Sequence, residues 1–208
     1  IDPLKKQPLD GGFISVWILI ANSISYDFQG ELRLFESCQH PLLGLEAGSL
    51  GTLGAQSRVF ERALEHTTPD PVMLHETLDA MARAGVTHLA MEASSHGLAQ
   101  HRADGVHFRV AAFTNITQDH LDYHPTMEAY FEAKTRLFAA PLLEGDGPAA
   151  VVNGDDPWGS RLAEQLRGRC WRSSLGDPQA ELQMVDLEMT GQGVRGRLIS
   201  PAGSGEFC

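Results

Sequence analysis

Short apolar runs alternate with amphipathic segments of helical period from about residue 70 onwards, and this alternation strongly limits how the chain can fold. The predicted strands are 87–92, 110–116 and 149–152. The predicted helices are 71–84, 126–138 and 156–166. Proline stands in the first turn of the first helix and Thr126 is suited to cap the second. Alternation of this kind predicts an α/β fold with a mostly parallel sheet flanked by helices.

The two ends of the chain differ from this middle part. After Gly168, the segments 182–187 and 194–199 are predicted as a hairpin around the glycine-rich turn 191–193, giving a small β-rich extension. Residues 1–43 show no clear alternation and stay unplaced, whereas 44–208 are expected to form one incomplete domain. The most apolar run, 13–21, is shorter than the ~20 residues that span a bilayer, so a buried strand is predicted there and no membrane association is expected.

Composition restricts the partners and the compartment. The formal net charge of −11 argues against a nucleic-acid partner, which would need a basic face. The three cysteines form no CxxC pair, so the sequence supports neither a zinc site nor a disulfide framework. A reducing cytoplasm is the simplest setting, and we expect a monomer.

The densest polar cluster, 91–102, follows the first predicted strand. Open α/β folds bind ligands at the carboxyl ends of their strands, so its side chains are candidates for a site. Glu92 is suited to ligate a cation, and Ser94, Gln100 and Arg102 offer donors to an anionic substrate. The alternative is a polar loop with solvated side chains.

A second cluster, 114–124, follows the next predicted strand and contains His120. Its histidines and aspartates lack zinc-ligand spacing, so a metal or phosphate site and a purely structural role both stay open. Lys134, one of only three lysines in the chain, falls late in a predicted helix. Taken alone, it is expected to be an exposed lysine paired with a nearby acid.

A third polar group ends the predicted strand at 149–152. Asn153 can present an amide to a nucleobase, while Asp155 and Asp156 can present carboxylates to a ribose. The same residue types also form ordinary turns and helix N-caps, so this pattern is weak alone.

These segments together resemble the central domain of the muramyl ligase family. The resemblance is carried by strings that occur in order: Glu-His-Thr-Thr-Pro-Asp-Pro at 65–71, Ser-Ser-His-Gly-Leu-Ala-Gln-His-Arg at 94–102, Asp-His-Leu-Asp-Tyr-His at 119–124, Glu-Ala-Lys-Thr-Arg-Leu-Phe at 132–138, and Asn-Gly-Asp-Asp at 153–156. It runs from about residue 44 to 207, and it is most specific for the branch that adds the third residue of the peptidoglycan stem peptide.

The resemblance implies an ATP-dependent acid–amino-acid ligase with Mg²⁺. Such an enzyme phosphorylates the D-glutamyl carboxylate of UDP-MurNAc-L-Ala-D-Glu, and a diamino acid, expected to be meso-diaminopimelate rather than lysine, attacks the acyl phosphate. The residues matching substrate contacts are Thr67, Thr68, Ser94, Gln100 and Arg102. The residues matching Mg²⁺ ligands are Glu92, His120 and Lys134, the lysine as a carbamate. The residues matching adenine-side contacts are Asn153 and either Asp155 or Asp156.

The sequence also departs from the family. No G-x-x-x-x-G-K-[ST] phosphate-binding loop occurs, and the glycine-rich stretch 48–54 has no lysine. The uridine-binding and carboxyl-terminal domains of the family are not matched, and a gene fragment with a replaced start would explain this. A folylpolyglutamate-synthetase-like ligase is one alternative, which the 94–102 string disfavours. A non-catalytic remnant that binds UDP-muramyl dipeptide is the other.

Overall fold

A single β-sheet organises the part of the chain that the computed structural model describes, which comprises residues 15–20, 46–117, 123–143, 149–190 and 193–207. Its strands are β1 (Ser15–Ile20), β2 (Ala47–Gly51), β3 (Gly54–Ser57), β4 (Glu61–Arg62), β5 (His88–Glu92), β6 (Phe108–Phe113), β7 (Ala150–Asn153), β8 (Cys170–Ser174), β9 (Leu182–Thr190), β10 (Gly193–Ser200) and β11 (Gly203–Phe207). They lie in the order β11-β10-β9-β8-β7-β6-β1-β5-β2-β3-β4.

The sheet is parallel in its middle and antiparallel at both margins. Each neighbouring pair from β2 through β5, β1, β6, β7 and β8 to β9 is parallel. The β2–β3–β4 margin and the β9–β10–β11 margin are antiparallel. The predicted α/β fold with a mostly parallel sheet and a β-rich extension is therefore confirmed.

Helices connect the parallel strands and begin at side chains that cap them. They are α1 (Pro71–Arg83), α2 (Ser95–Ala99), α3 (Met127–Thr135), which continues as a 3₁₀ turn (Arg136–Phe138), and α4 (Pro157–Leu166). Asp70, Ser94, Thr126 and Asp156 accept hydrogen bonds from the first free backbone N–H groups of the four α-helices. Within the described residues, no helix has both the length and the apolar character needed to cross a bilayer.

One part of the core lies where α3 and the 3₁₀ turn pack on the middle of the sheet. Phe113 makes edge-on ring contacts with Phe131 and Phe138, at centroid distances of 6.2 and 6.3 Å. All three rings are buried. Edge-to-face pairs of this kind add to the stabilisation from apolar burial. This packing fixes α3, and therefore Lys134 within it, against the sheet.

β1 is an interior strand of the sheet, although it lies within residues 1–43, which the sequence leaves unplaced. Ser15–Ile20 pairs in parallel with β5 on one side and with β6 on the other. The buried strand predicted at 13–21 is thus confirmed as a strand for six residues. A strand paired on both sides needs a near-continuous apolar run, which these residues have.

Candidate functional site

The carboxyl ends of β2 and β5 meet and bring Thr52 next to Glu92. The two strands are parallel neighbours, with Leu50 opposite Met91, so the residues that follow them emerge at the same edge of the sheet. The backbone N–H of Thr52 donates to Oε2 of Glu92 at 3.3 Å, and the Thr52 hydroxyl donates to the same oxygen at 3.0 Å.

Glu92 and Lys134 are buried side chains of opposite charge at this edge. Glu92 is 5% exposed and Lys134 is 2% exposed, although such residues are rarely buried unless they are paired. Burial raises the pKa of the Glu92 carboxyl, whereas the Thr52 hydrogen bonds and the positive charge of Lys134 act in the opposite direction. Nζ of Lys134 also lies 5.2 Å from the ring centroid of Tyr130. Lys134 is therefore not the exposed helix lysine that its local sequence alone suggests.

Thr67 and Thr68 are tied to the same edge. The Thr67 and Thr52 hydroxyl oxygens are 3.0 Å apart. The Thr68 hydroxyl donates to the backbone carbonyl of Glu92 at 3.2 Å and accepts from the N–H of Ser94 at 2.9 Å. The loop before α1 is thereby fastened to the end of β5.

Ser94 and Gly97 shape the turn that follows β5. The Ser94 hydroxyl accepts from the Gly97 N–H at 3.0 Å and so caps α2. A Cβ at Gly97 would lie 2.6 Å from Cβ of Thr68, so only glycine leaves room for that threonine. The cluster predicted at 91–102 is therefore a strand end and a short helix rather than a solvated loop.

Arg102 and Gln100 complete the hydrogen-bonded group. Nη1 of Arg102 donates to the Thr68 carbonyl at 2.9 Å. Nε and Nη2 of Arg102 donate to Oε1 of Gln100 at 2.9 and 2.6 Å, and Nε2 of Gln100 donates to the Tyr123 hydroxyl at 3.2 Å. The structure thus joins all five predicted substrate-binding residues to Glu92, while their contact with a substrate stays a prediction.

The predicted metal ligands are only partly described. Glu92 and Lys134 lie together, but His120 falls outside the described residues. Among the residues that are described, no group of three or more His, Cys, Asp or Glu side chains could hold a metal ion. A Mg²⁺ site here would accordingly need the lysine carbamate, His120, or both.

Asn153, Asp155 and Asp156 lie elsewhere on the sheet, at the end of β7, the third strand along from β5. Oδ1 of Asn153 accepts from the Asp155 N–H at 3.0 Å, and Asp156 caps α4. A hydrogen bond from the Ser174 hydroxyl, followed by one from the Leu175 N–H, lowers the pKa of the Asp155 carboxyl. The turn and cap roles expected of such residues are therefore present, and their nucleotide contacts stay a prediction.

Two residues of this group, Thr52 and Tyr123, were not singled out from the sequence. Thr52 stands in the glycine-rich stretch 48–54, which lacks the lysine of a phosphate loop and which the family resemblance matches to a strand. Its position directly after β2 is the signal that points to it. Tyr123 belongs to the 119–124 string, whose resemblance to the family implies a role for His120 but none for the tyrosine.

Comparisons with known proteins agree on one family. Residues 36–207 match the sequence model of the Mur ligase middle domain. The chain is 66% identical over 166 residues to a UDP-N-acetylmuramoyl-L-alanyl-D-glutamate--2,6-diaminopimelate ligase of Parasynechococcus marenigrum (strain WH8102), covering 80% of this chain and 33% of the relative. It is 49% identical over 175 residues to a protein of the same name from Synechococcus sp. (strain WH7803), covering 84% of this chain and 34% of the relative. The chain therefore spans about a third of the length of these relatives.

Solved structures show the same resemblance. A structure of a UDP-N-acetylmuramoyl-L-alanyl-D-glutamate--2,6-diaminopimelate ligase superposes with a TM-score of 0.74 at 29% identity, covering 94% of this chain and 39% of the other. A structure described as an FPGS-AMPPCP complex gives a TM-score of 0.57 at 12% identity, covering 92% of this chain and 52% of the other. The second match shows a shared fold alone.

Proposed function

Since the chain belongs to the Mur ligase family through that family's middle domain, we propose that it holds UDP-MurNAc-L-Ala-D-Glu for ATP-dependent amide formation in peptidoglycan synthesis. The complete enzyme would phosphorylate the D-glutamyl carboxylate and join it to meso-diaminopimelate, the amino acid named in the relatives. A carboxylate needs this activation because its oxygen is a poor leaving group until it is phosphorylated. The proposal includes a cytoplasmic monomer that binds neither nucleic acid nor membrane.

The observation that carries the proposal is the hydrogen-bonded group at the carboxyl edge of the sheet. It links the backbone carbonyl of Glu92 through Thr68 to Arg102, so the guanidinium is held beside the end of the strand that carries the buried Glu92 carboxyl. An open α/β sheet binds ligands at this edge. Arg102 would receive an anionic group of the substrate, with Thr67, Thr68, Ser94 and Gln100 around it.

Glu92 and Lys134 are the residues of the described chain that would hold Mg²⁺. Burial disfavours the ionised form of the Glu92 carboxyl and raises its pKa. A bound cation would stabilise the ionised form and so offset the desolvation cost. Carbamylation would convert Lys134 from a cation into a hard oxygen donor, the ligand type that Mg²⁺ prefers. We propose His120 as the third ligand. When bound, Mg²⁺ would neutralise phosphate charge during phosphoryl transfer.

Asn153, with Asp155 or Asp156, would contact the nucleoside end of ATP. Solved relatives of this fold are described as complexes with ADP or AMPPCP, which supports nucleotide binding by the family. The amide of Asn153 can still offer its Nδ2 donors while Oδ1 accepts from the Asp155 N–H.

Two other functions are alternatives, and a different observation bears on each. A folylpolyglutamate-synthetase-like activity is not favoured, because that resemblance is confined to the fold, whereas relatives of 66% and 49% identity carry the muramyl ligase name. A non-catalytic role in binding UDP-muramyl dipeptide is favoured by one feature, the lack of a G-x-x-x-x-G-K-[ST] motif. Separate titrations with ATP and with UDP-muramyl dipeptide distinguish a ligase from such a remnant.

The experiment is a calorimetric titration of the chain with UDP-MurNAc-L-Ala-D-Glu. Arg102→Lys keeps the charge but loses the planar fork, so we expect binding to weaken about tenfold, or ~1.4 kcal/mol. Arg109→Lys is the matched control, because Arg109 is exposed on β6 away from the described site. Unchanged affinity in Arg102→Lys would show that Arg102 does not hold the substrate.

A further inference from the structure

We propose that Tyr123 is a positioning residue that fixes the Arg102 guanidinium through the Gln100 amide. The inference rests on the proposed function, because it assigns Arg102 an anionic ligand. It gives Gln100 a different role from the direct substrate contact that the family resemblance implies.

Chemistry determines which way the Gln100 amide faces. Arginine carries only donors, so the Gln100 atom that contacts Nε and Nη2 of Arg102 must be the carbonyl oxygen. Nε2 then points to the Tyr123 hydroxyl, which accepts at 3.2 Å. Both polar atoms of the Gln100 amide are thus hydrogen-bonded to other residues of the chain.

The Tyr123 hydroxyl is itself held in place by ring contacts. The Tyr123 ring lies 4.1 Å from the His96 ring centroid and 4.9 Å, edge-on, from that of His124. Tyr123 nevertheless keeps 42% of its surface exposed. Because its oxygen accepts from Gln100, its own O–H proton is directed elsewhere.

Arg102 keeps donors for a ligand in this arrangement. Of the five guanidinium N–H groups, three are engaged within the described part of the chain, by Gln100 Oε1 and the Thr68 carbonyl. The remaining two have no partner among the residues that the structure describes, and they suit a carboxylate or phosphate oxygen. Without the Tyr123 acceptor, the Gln100 amide would rotate and the guanidinium would lose its fixed plane.

Tyr123→Phe tests this, because it removes the hydroxyl and keeps the ring. We expect the chain to bind UDP-MurNAc-L-Ala-D-Glu about two- to tenfold more weakly, the range for loss of one neutral hydrogen bond. In a Gln100→Met background, the same Tyr123→Phe change is expected to have no further effect, because the link is already broken. Equal binding by Tyr123→Phe and the parent, or an equal loss in both backgrounds, would overturn the proposal.

The Arg102 Nε–H signal in a proton–nitrogen NMR spectrum provides a readout that does not depend on binding. The signal is assigned by its disappearance in Arg102→Lys and is expected to shift in Tyr123→Phe and in Gln100→Met, while the thermal midpoint changes little. If the parent chain does not bind UDP-MurNAc-L-Ala-D-Glu, the proposed function fails. The Arg102 Nε–H signal then decides by itself whether Tyr123 positions the guanidinium. An unshifted signal in Tyr123→Phe would then refute it.

Discussion

Thr52 donates two hydrogen bonds to one carboxylate oxygen of Glu92, from its hydroxyl at 3.0 Å and from its backbone N–H at 3.3 Å. Both bonds favour the ionised carboxyl, and burial opposes them and wins, so the pKa of Glu92 is raised. The charge state of this carboxyl is therefore set by a balance that single substitutions can move.

Thr52→Val should raise the pKa of Glu92 further. Valine has the shape of threonine but no hydroxyl, and a hydrogen bond to a charged group contributes about 1.5–3 kcal/mol. The pKa can be followed by titrating the Glu92 carboxyl carbon by NMR. Thr67→Val is the matched control, because the Thr67 hydroxyl contacts that of Thr52 rather than the carboxylate. Equal changes in the two variants would contradict the assignment.

Glu92→Gln should change the pH dependence of stability in a defined direction. Because the folded pKa lies above the ordinary value of 4.5, the folded protein binds more protons than the unfolded chain between those values. The free energy of unfolding of the parent should thus fall, relative to Glu92→Gln, as pH rises through the folded pKa. Between the ordinary pKa and the folded pKa of Glu92, this free energy of unfolding should fall by about 1.4 kcal/mol for each pH unit.

Urea unfolding from pH 4.5 to 8, without Mg²⁺, measures this difference. Glu76→Gln, which removes an exposed carboxyl on α1, is the matched control variant. A difference between the parent and Glu92→Gln that stays constant with pH would mean that burial does not control this carboxyl.

Lys134 should carry a carbamate when the protein is equilibrated with ¹³C-bicarbonate. Its neutral amine would add to CO₂ and release a proton, forming an oxygen donor beside Glu92. A carbamate carbon signal is expected in the parent and should be absent in Lys134→Met. Replacing Lys5 and Lys6, the other two lysines, by arginine should leave it unchanged. A signal that persists in Lys134→Met would assign the carbamate elsewhere.

Gly97→Ala should destabilise the site without adding any polar group. The new Cβ would lie 2.6 and 2.7 Å from Cβ and Cγ2 of Thr68, so the threonine that bridges Ser94 and Glu92 must move. We expect a loss of about 1–3 kcal/mol, typical of overpacking, measured by urea unfolding. At Gly176, where a Cβ meets nothing within 4 Å, alanine should cost less than about 0.5 kcal/mol.

Local sequence predicts three of the four described α-helices, whereas the short helix α2 is not among its predictions. The predicted helix 71–84 is α1 with Ala84 as its C-cap, and Gly85 follows at a φ of +100°, where glycine is favoured. The strand predicted at 110–116 is found earlier in the chain, because β6 begins at Phe108 and ends at Phe113. Its ladder ends where Phe113 pairs with Ile20 and Val152, at the carboxyl end of β1, and such register is a tertiary property.

Sequence reasoning selects most residues of the hydrogen-bonded group at this edge, but it misses Thr52 and Tyr123 and does not show how the residues are connected. Sequence order places polar residues after strands, and the parallel sheet then gathers them at one edge. The pairing of β2 with β5, which brings Thr52 to Glu92, depends on strand order that local pattern does not contain. The burial of Lys134 was equally hidden, because it comes from the packing of α3 on the sheet.

The chain alone should show no ligase turnover and should bind ATP poorly. Phosphate-loop enzymes hold the β- and γ-phosphates with a ring of backbone N–H groups and one lysine at a helix N-terminus. This sequence has no G-x-x-x-x-G-K-[ST], and neither Lys5 nor Lys6 follows a glycine-rich turn. Lys134 is buried beside Glu92, so it is not available to a phosphate of ATP.

A phosphate-release assay with UDP-MurNAc-L-Ala-D-Glu, meso-diaminopimelate, ATP and Mg²⁺ measures this directly. The Parasynechococcus marenigrum relative, which carries the ligase name, is the positive control under the same conditions. Even if Asn153 contacts adenine, the charge stabilisation that phosphoryl transfer requires would be missing. Turnover by this chain of about 1 per second or more, within the usual range for enzymes, would contradict the prediction and would mean that another element cradles the phosphates.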